Sequence, residues 1–155
     1  MFTGIQLLQP EIFRYIPRGR FSHSTTDVYP AALAGGEKIV AHIARGNWRE
    51  LSTLERYLET TLELLREKGL ENACSEGARI ESGARVAGSI LWENAVVESG
   101  ATVTNSILGA GVRIKRGETY ERAALVRAEL LKGETPPDKA PEGYLTGENF
   151  VVRLA

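Results

Sequence analysis

The chain has 155 residues, enough for one domain or two small ones, and its formal net charge of -1 gives no overall field that would attract nucleic acid or an anionic membrane. No stretch approaches the ~18 consecutive apolar residues of a membrane span, and Met1 to Gln9 has no basic residue of the kind that opens a signal peptide. The single cysteine, Cys74, excludes an intrachain disulfide and fits a reducing compartment. We therefore expect a cytoplasmic protein that binds neither nucleic acid nor membrane.

The first part of the chain has the pattern of alternating strands and short helices. Apolar and β-branched residues predict strands at 2–8, 38–44 and 47–51. Prolines and helical spacing predict short helices at 10–16 and 27–33. This alternation is typical of an α/β segment.

The strongest helix signal runs from residue 53 to about residue 68. Ser52 and Glu55 have the spacing of a capping box, with Ser52 as the N-cap. An apolar stripe follows at helical spacing, and Gly69 is a suitable stop. The stripe consists of Leu54, Leu58, Thr61, Leu62 and Leu65.

From Gly77 onward the sequence repeats with a period of 17 residues. The units are 77–93, 94–110 and 111–127, of which the first two share Glu-Ser-Gly-Ala and Ser-Ile-Leu. The third unit is degenerate, as terminal repeats often are.

Two series of residues, one bulky and apolar and the other small, run through these units at steps of five or six residues. A helical period of 3.6 cannot place both inside. A coil with three flat sides can, if each side turns one bulky and one small residue inward and a Gly or Asn stands near each corner. The pattern therefore predicts a short parallel β-helix over residues 71–127. The bulky series is Ile80, Val86, Leu91, Val97, Val103, Leu108 and Ile114; the small series is Ala78, Ala84, Ser89, Ala95, Ala101, Ser106 and Val112; the corner residues are Gly83, Gly88, Asn94, Gly100, Asn105, Gly111 and Gly117.

Residues 128–155 form a tail after the repeat. Residues 134–143 are rich in Pro, Glu and Asp and are expected to be exposed. Residues 150–154 alternate in polarity and predict a final strand, which either covers the open end of the coil or returns to the first domain.

Three segments in order resemble the sugar-nucleotide pyrophosphorylase family. They are FTGI at 2–5 with PEIF at 10–13 and IP at 16–17; DVYP at 27–30 with ARGNWRELST at 44–53 and YL at 57–58; and the repeat itself, with SILWE at 89–93 and NSIL at 105–108. The mannose-1-phosphate guanylyltransferase and glucose-1-phosphate nucleotidyltransferase branches of that family end in a left-handed β-helix. The resemblance implies that residues 1–70 are the sugar-binding portion of a Rossmann-like nucleotidyltransferase domain, followed by a left-handed β-helix.

The chain also departs from the family pattern. The glycine-rich, arginine-containing loop that holds the nucleotide phosphates is absent, as are the first metal-binding Asp and the central Glu-Lys-Pro sugar motif. In the Trp motif, Glu50 replaces the usual Asp and Ser52 the usual Gly. We therefore expect the chain to be inactive without a nucleotide-binding half, and we assign no catalytic residue.

The resemblance implies roles for four residues. Thr3 and Gly4 would place backbone near the sugar, and Trp48 would form a wall of the sugar pocket. Glu50 would be one ligand of Mg²⁺, whose other carboxylate ligand would lie in the nucleotide-binding half. The alternatives are an ordinary strand, a core aromatic residue and a solvated carboxylate at a helix N-terminus.

Three functions remain open from the sequence. The first is the C-terminal portion of an enzyme that converts NTP and sugar 1-phosphate to NDP-sugar and pyrophosphate, possibly GDP-mannose. The second is a non-catalytic module that forms homo-oligomers through its β-helix. The third, ranked last, is a hexapeptide-repeat acyltransferase, because such enzymes use a histidine of the coil as general base and residues 77–127 contain none.

Overall fold

The computed structural model describes residues 3–133 and 139–155 of the chain. These residues form two compact units, Met1–Trp48 and Arg49–Ala155. The division falls before the long helix, whereas the sequence placed a boundary near residue 70. The difference arises because the long helix packs against the β-helix and so belongs to the second unit.

The described residues of the first unit, 3–48, form helical turns and no strand. A 3-10 helix spans Pro10–Tyr15, a π-helical turn spans Ser24–Val28, and helix α1 spans Tyr29–Ala34. The two predicted short helices are confirmed, with Pro10 at the start of the first and Gly35 at the end of α1.

The three predicted strands in this part of the chain are wrong. Residues 3–8, 38–44 and 47–51 are irregular, while residue 2 lies outside the described part. A strand needs a neighbour that accepts and donates its backbone hydrogen bonds, and sequence pattern alone does not supply one. These segments have strand composition but no partner strand among the described residues, so the Rossmann-like α/β arrangement is not evident.

Helix α2 spans Leu54–Lys68 and begins one residue later than predicted. Its N-cap is Thr53, whose hydroxyl accepts the N–H of Arg56 at 3.2 Å. Ser52 is therefore not the cap, and its Oγ accepts a hydrogen bond from the Arg56 guanidinium at 3.0 Å. The capping box is absent because the cap has moved by one position. Gly69 ends the helix at φ +65°, as predicted.

Residues 73–127 form a β-solenoid of about three turns, built from short parallel strands in three sheets. Partners in adjacent turns lie 17 residues apart, as Arg79, Val96 and Arg113 do. The predicted coil register is confirmed. The strands are β1 (Ala73–Cys74), β2 (Arg79–Ile80), β3 (Arg85–Ala87), β4 (Ile90–Leu91), β5 (Val96–Val97), β6 (Thr102–Thr104), β7 (Ile107–Leu108), β8 (Arg113–Ile114), β9 (Thr119–Glu121) and β10 (Ala123–Arg127).

The interior of the coil contains both predicted series. Leu91, Val97, Val103, Leu108 and Ile114 are fully buried together, with the small residues between them. Burial of this kind contributes roughly 1.5–3 kcal/mol for each large aliphatic side chain. The exception is Ile80, which is 41% exposed because it lies in the first turn, with no turn below it.

A column of polar side chains runs up one corner of the coil. The Asn72 side chain accepts the N–H of Ser89 at 3.0 Å, the hydroxyl of Ser89 accepts the N–H of Ser106 at 3.2 Å, and the hydroxyl of Ser106 accepts the N–H of Ala123 at 3.1 Å. Both serines are fully buried. Each side chain therefore connects one turn to the next, 17 residues further on.

The tail adds two strands to the largest sheet of the coil, beyond its last turn. Strand β12 (Asn149–Arg153) pairs antiparallel with β10, and β11 (Tyr144–Thr146) pairs with β12. The predicted final strand is confirmed, and it covers the end of the coil, because Val151 is buried among the interior residues. The side chain of Asn149 also donates to the carbonyl of Arg113 at 2.9 Å. Of the predicted exposed segment 134–143, residues 134–138 lie outside the described part and 141–143 are exposed.

Helix α2 covers part of the outer surface of the largest sheet. Leu58 packs there with Ile90, Ile107 and Val152. Helix α2 is thus fixed along the coil by a second apolar layer. None of the helices formed by residues 3–133 and 139–155 has the length and apolar character needed to cross a bilayer.

The corners of the coil require left-handed backbone. Every predicted corner residue has a positive φ, and so do Gly77 and Arg122, which the sequence did not mark. Arg122 adopts φ +45°, at the position equivalent to Gly88 and Asn105. A side chain at such a backbone angle costs about 1–2 kcal/mol relative to glycine.

Replacing Arg122 by glycine should therefore stabilise the fold by about 0.5–1 kcal/mol, after the greater entropy of glycine in the unfolded chain is subtracted. The matched reverse change is Gly100→Ala, at φ +81°, where the new Cβ would lie 3.4 Å from Cγ of Arg116. It should destabilise by about 1 kcal/mol or more. Urea unfolding measures the free energy of unfolding of both variants. If both variants were more stable than the parent, or both less stable, the assignment of strain to Arg122 would be contradicted.

Glu98 joins two turns through its carboxylate. It accepts a hydrogen bond from the Arg113 guanidinium at 2.9 Å and from the backbone N–H of Arg116 at 3.3 Å. The hydrogen bond from the Arg113 guanidinium is the main cause that holds the pKa of Glu98 below its usual value, and the bond from the Arg116 N–H is the second cause. Since the pKa is lower in the folded state, the stabilisation is present above the unfolded pKa and is lost as the pH falls through the folded pKa.

The Glu98→Gln variant should therefore be less stable than the parent at pH 7, and the difference should shrink as the pH falls below about 4. Urea unfolding from pH 7 to pH 3 measures it. The control is Glu76→Gln, because no ion pair or side-chain hydrogen bond of Glu76 is seen among the described residues. A difference for Glu98→Gln that stays constant with pH would contradict this role.

Candidate functional site

The predicted metal ligand Glu50 lies in the irregular segment that leads into α2. Its carboxylate forms an ion pair with the Arg56 guanidinium, which also donates to Ser52. Both side chains are about half exposed. Glu50 is thus an accessible carboxylate held in place by an arginine from the first turn of α2.

Arg49, the residue before Glu50, also connects this segment to α2. Arg49 forms ion pairs with Glu63 and, at 3.6 Å, with Glu67, both on α2. The hydrogen bond to Glu63 is the main cause that raises the pKa of Arg49. Sequence reasoning gave Arg49 and Arg56 no role, because their partners are not at the i, i+3 or i, i+4 spacing of ion pairs on a helix.

The residues present supply at most part of a metal site. No group of three or more His, Cys, Asp or Glu side chains stands together among residues 3–133 and 139–155. Mg²⁺ is usually held by one or two carboxylates together with phosphate oxygens and water. Glu50 has the chemistry of one such ligand, and the others would have to come from elsewhere.

In the first unit, the residue that follows the FTGI motif contacts the DVYP motif. The Tyr29 hydroxyl bonds to the Gln6 side chain, and Gln6 also donates to Ser24 Oγ at 3.5 Å. Gln6 follows Thr3 and Gly4 in the chain, while Tyr29 belongs to the DVYP motif. The structure therefore brings the segment of the predicted sugar-binding residues together with that motif.

Thr3 and Gly4 have an open local geometry. Gly4 adopts φ +79°, and a Cβ placed there would meet no atom within 4 Å. Thr3 Oγ1 accepts the N–H of Ile5 at 3.4 Å. A ligand could thus approach this backbone closely. Trp48 ends the first unit with 38% of its surface exposed, and its role as a pocket wall remains a prediction.

Asp27 is a polar residue of the first unit to which the sequence assigned no role. Its carboxylate accepts the N–H of His23 at 2.8 Å and the hydroxyl of Thr26 at 3.0 Å. The hydrogen bond from the His23 N–H is the main cause that lowers the pKa of Asp27, and the bond from the Thr26 hydroxyl adds to it. The group is therefore ionised at neutral pH, where it fixes the turn before α1.

The histidines and the cysteine show no catalytic arrangement. The ring of His23 lies edge-on to Phe21, with centroids 4.8 Å apart, and His42 is exposed in an irregular segment. Cys74 lies in β1, and burial raises the pKa of its thiol. A raised pKa disfavours the reactive thiolate.

Comparison with known proteins concerns the coil. Residues 65–132 match the family model described as "GlmU-like, C-terminal hexapeptide". No curated protein and no solved structure matches the chain. The match relates the β-solenoid and the end of α2 to a hexapeptide-repeat domain, while residues 3–64 lie outside it.

Because the Glu50–Arg56 pair is exposed, it should contribute little to folding. We expect Glu50→Gln to lower the free energy of unfolding by less than about 1 kcal/mol, whereas Leu58→Ala, at a fully buried position, should lower it by about 2–5 kcal/mol. Urea unfolding compares the two variants. A loss for Glu50→Gln close to that of Leu58→Ala would show that Glu50 is a structural residue.

Proposed function

We propose that this chain is the C-terminal portion of a sugar-1-phosphate nucleotidyltransferase, with GDP-mannose as one candidate product. In this reaction a phosphate oxygen of the sugar 1-phosphate attacks the α-phosphate of the NTP, and pyrophosphate leaves. The proposal rests on the order of the three motifs that resemble this family and on the match of residues 65–132 to a GlmU-like hexapeptide domain.

One structural observation carries the proposal. The segments with strand composition in residues 3–44 are unpaired, and their apolar side chains face solvent. The most exposed are Ile5, Leu7, Val40 and Ile43, each more than 70% exposed. Exposed apolar surface of this extent is typical of an interaction site, and this supports the proposal that a partner covers it. Strands of a nucleotide-binding half would pair with these segments and bury them.

Each site residue then has a role in binding rather than in proton transfer. The backbone at Thr3 and Gly4 approaches the sugar, and Trp48 packs against the sugar ring. Glu50 holds Mg²⁺ together with ligands from the nucleotide-binding half. When bound, Mg²⁺ neutralises phosphate charge, which is the main requirement in phosphoryl-type transfers.

The Glu50–Arg56 pair fits such a role. An exposed pair of this kind contributes only ~0–1 kcal/mol, so exchanging Arg56 for a divalent cation costs Glu50 little. The released guanidinium is then available to a phosphate, for which arginine has suitable geometry.

The chain alone should release no pyrophosphate from NTP and hexose 1-phosphates. Addition of a nucleotide-binding half from a complete family member should restore turnover, because that half supplies the phosphate-binding loop and the second carboxylate. A pyrophosphate-release assay with each NTP and sugar 1-phosphate measures this. Turnover by the isolated chain would contradict the proposal, and so would failure of complementation by a half that binds the chain.

In the complemented enzyme, Glu50→Gln should lower kcat by about 100-fold or more and shift the Mg²⁺ dependence to higher concentration, because a ligand of the metal is lost. The matched control is Glu55→Gln, a glutamate in the first turn of α2, which should leave both quantities unchanged. Equal activity of the two variants would refute the assignment of Glu50.

A further inference from the structure

The first turn of the coil leaves β1 at one end of the largest sheet. Its one neighbour among residues 3–133 and 139–155 is β4, which belongs to the turn above. At the opposite end of the coil, β12 and β11 continue the same sheet beyond β10. The free edge of β1 can therefore pair with an extended segment of another chain.

The repeat shows which backbone groups of β1 face away from the coil. In the second turn, the carbonyl of Leu91 accepts the N–H of Ser75 from the turn below at 2.8 Å, and the carbonyl of Ser89 is used in the same way. The equivalent carbonyls of the first turn, 17 residues earlier, are those of Cys74 and Asn72. The described part of the chain has no turn below them, so this edge offers acceptors to a segment that brings N–H donors.

A cleft of about 510 Å³, called here the β1 cleft, lies between this edge and the last two turns of α2. Its volume lies within the ~300–1,000 Å³ typical of ligand sites. The wall is mostly apolar, with Leu65 buried and Leu64 and Leu70 accessible at 39% and 54% exposure. The residues that carry the argument are Leu64, Leu65, Lys68, Leu70, Ala73 and Cys74.

Lys68 gives the β1 cleft a positive charge. It stands in the last turn of α2, and it takes part in none of the ion pairs formed by the described residues. No acidic residue lines the cleft. The cleft therefore complements an occupant that carries a carboxylate beside an apolar group.

The open end of the coil interior lies on the other side of the same edge. Ile80 is 41% exposed there, and Cys74, at the position equivalent to the buried Leu91, is also exposed. Successive side chains of a strand point to opposite faces. A strand added to β1 thus directs alternate side chains into the β1 cleft and the residue between them onto the open interior.

We propose that the β1 cleft binds an extended segment of a partner protein with two apolar residues followed by an acidic one. Its N–H groups donate to the carbonyls of Asn72 and Cys74 and add a strand to the sheet. The first apolar side chain packs against Leu64 and Leu70, the second covers the open interior, and the carboxylate pairs with Lys68. The cleft lies in the second unit, and the inference does not depend on nucleotidyl transfer.

The free carbonyls favour a peptide over a small anion as the occupant. An aliphatic carboxylate supplies the apolar group and the charge, but it has no N–H groups at the spacing of a strand. In strand addition, backbone hydrogen bonds supply affinity and pockets for alternate side chains supply specificity. The edge of β1 and the β1 cleft provide these two elements side by side.

A titration of the full chain with the blocked peptide acetyl-SVVES-amide, followed by residue-resolved NMR, tests the proposal. We expect saturable shifts of the amide signals of Lys68, Leu70 and Cys74, with a dissociation constant on the order of 0.1–1 mM. The same peptide with both valine nitrogens methylated cannot donate and should bind about tenfold more weakly or worse. Equal binding of the methylated peptide, or saturable shifts at β11 instead, would overturn the proposal.

Replacing Lys68 by methionine tests the charge. Lys68→Met should weaken binding of the glutamate peptide about fivefold and leave binding of its glutamine analogue unchanged. The matched control is Lys132→Met, at another exposed lysine of the second unit, which should alter neither. An equal effect of the two variants on the glutamate peptide would contradict the role of Lys68.

The same NMR signals identify other occupants. Octanoate that shifts them as strongly as the peptide would indicate a site for small anions. Shifts that depend on the concentration of the chain alone would indicate a second copy at the edge. Either result would overturn the assignment of this edge to a partner segment, whereas neither is expected from strand addition.

Discussion

The corner column of Asn72, Ser89 and Ser106 is the constraint on which the rest of the second unit depends. Each side chain accepts the N–H of the residue 17 positions ahead. The serine hydroxyls also donate to carbonyls two residues back, at 3.0 Å for Ser89 and 2.7 Å for Ser106. Both bonding capacities of each buried hydroxyl are thus satisfied, and a shift of one turn by a single residue would leave buried polar groups without partners, each costing about 1–3 kcal/mol.

This register decides what each surface of the coil can do. It stacks the bulky residues into one interior and places Ile90, Ile107 and Ala124 in a line on the outside, where α2 packs. Helix α2 in turn fixes the segment that precedes it, because the ion pairs Arg49–Glu63 and Arg56–Glu50 connect this segment to the helix and set the position of Glu50. The position of the Glu50 carboxylate therefore depends on helix α2, which itself packs on the coil.

The repeat could be predicted because its signal is local and recurs in three units. Ser89 and Ser106 were placed inside from spacing alone, and the structure buries both completely. Arg122 was missed as a corner residue because only its position in the third unit marks it, and its residue type does not favour a positive φ. The N-cap was assigned to Ser52 instead of Thr53, since either hydroxyl can cap and the choice depends on which backbone N–H opens the first turn, here that of Arg56.

The strands of the first unit could not be predicted correctly for a different reason. Ile5, Leu7 and Val40 have strand composition, but a strand also requires a neighbouring backbone. The roles of Thr3, Gly4, Trp48 and Glu50 depend on such neighbours too, and they stay predictions. The pairing of Glu50 with Arg56 is a contact over six residues that no motif in the sequence encoded.

Residue-resolved amide hydrogen exchange of a Ser89→Ala variant tests the column most directly. Loss of the Ser89 hydroxyl removes the acceptor of the Ser106 N–H, while the N–H of Ala123 keeps its own acceptor on Ser106. The account predicts that exchange at Ser106 accelerates by about tenfold or more relative to exchange at Ala123. Equal acceleration at both amides, or none at either, would contradict a register held turn by turn through these side chains.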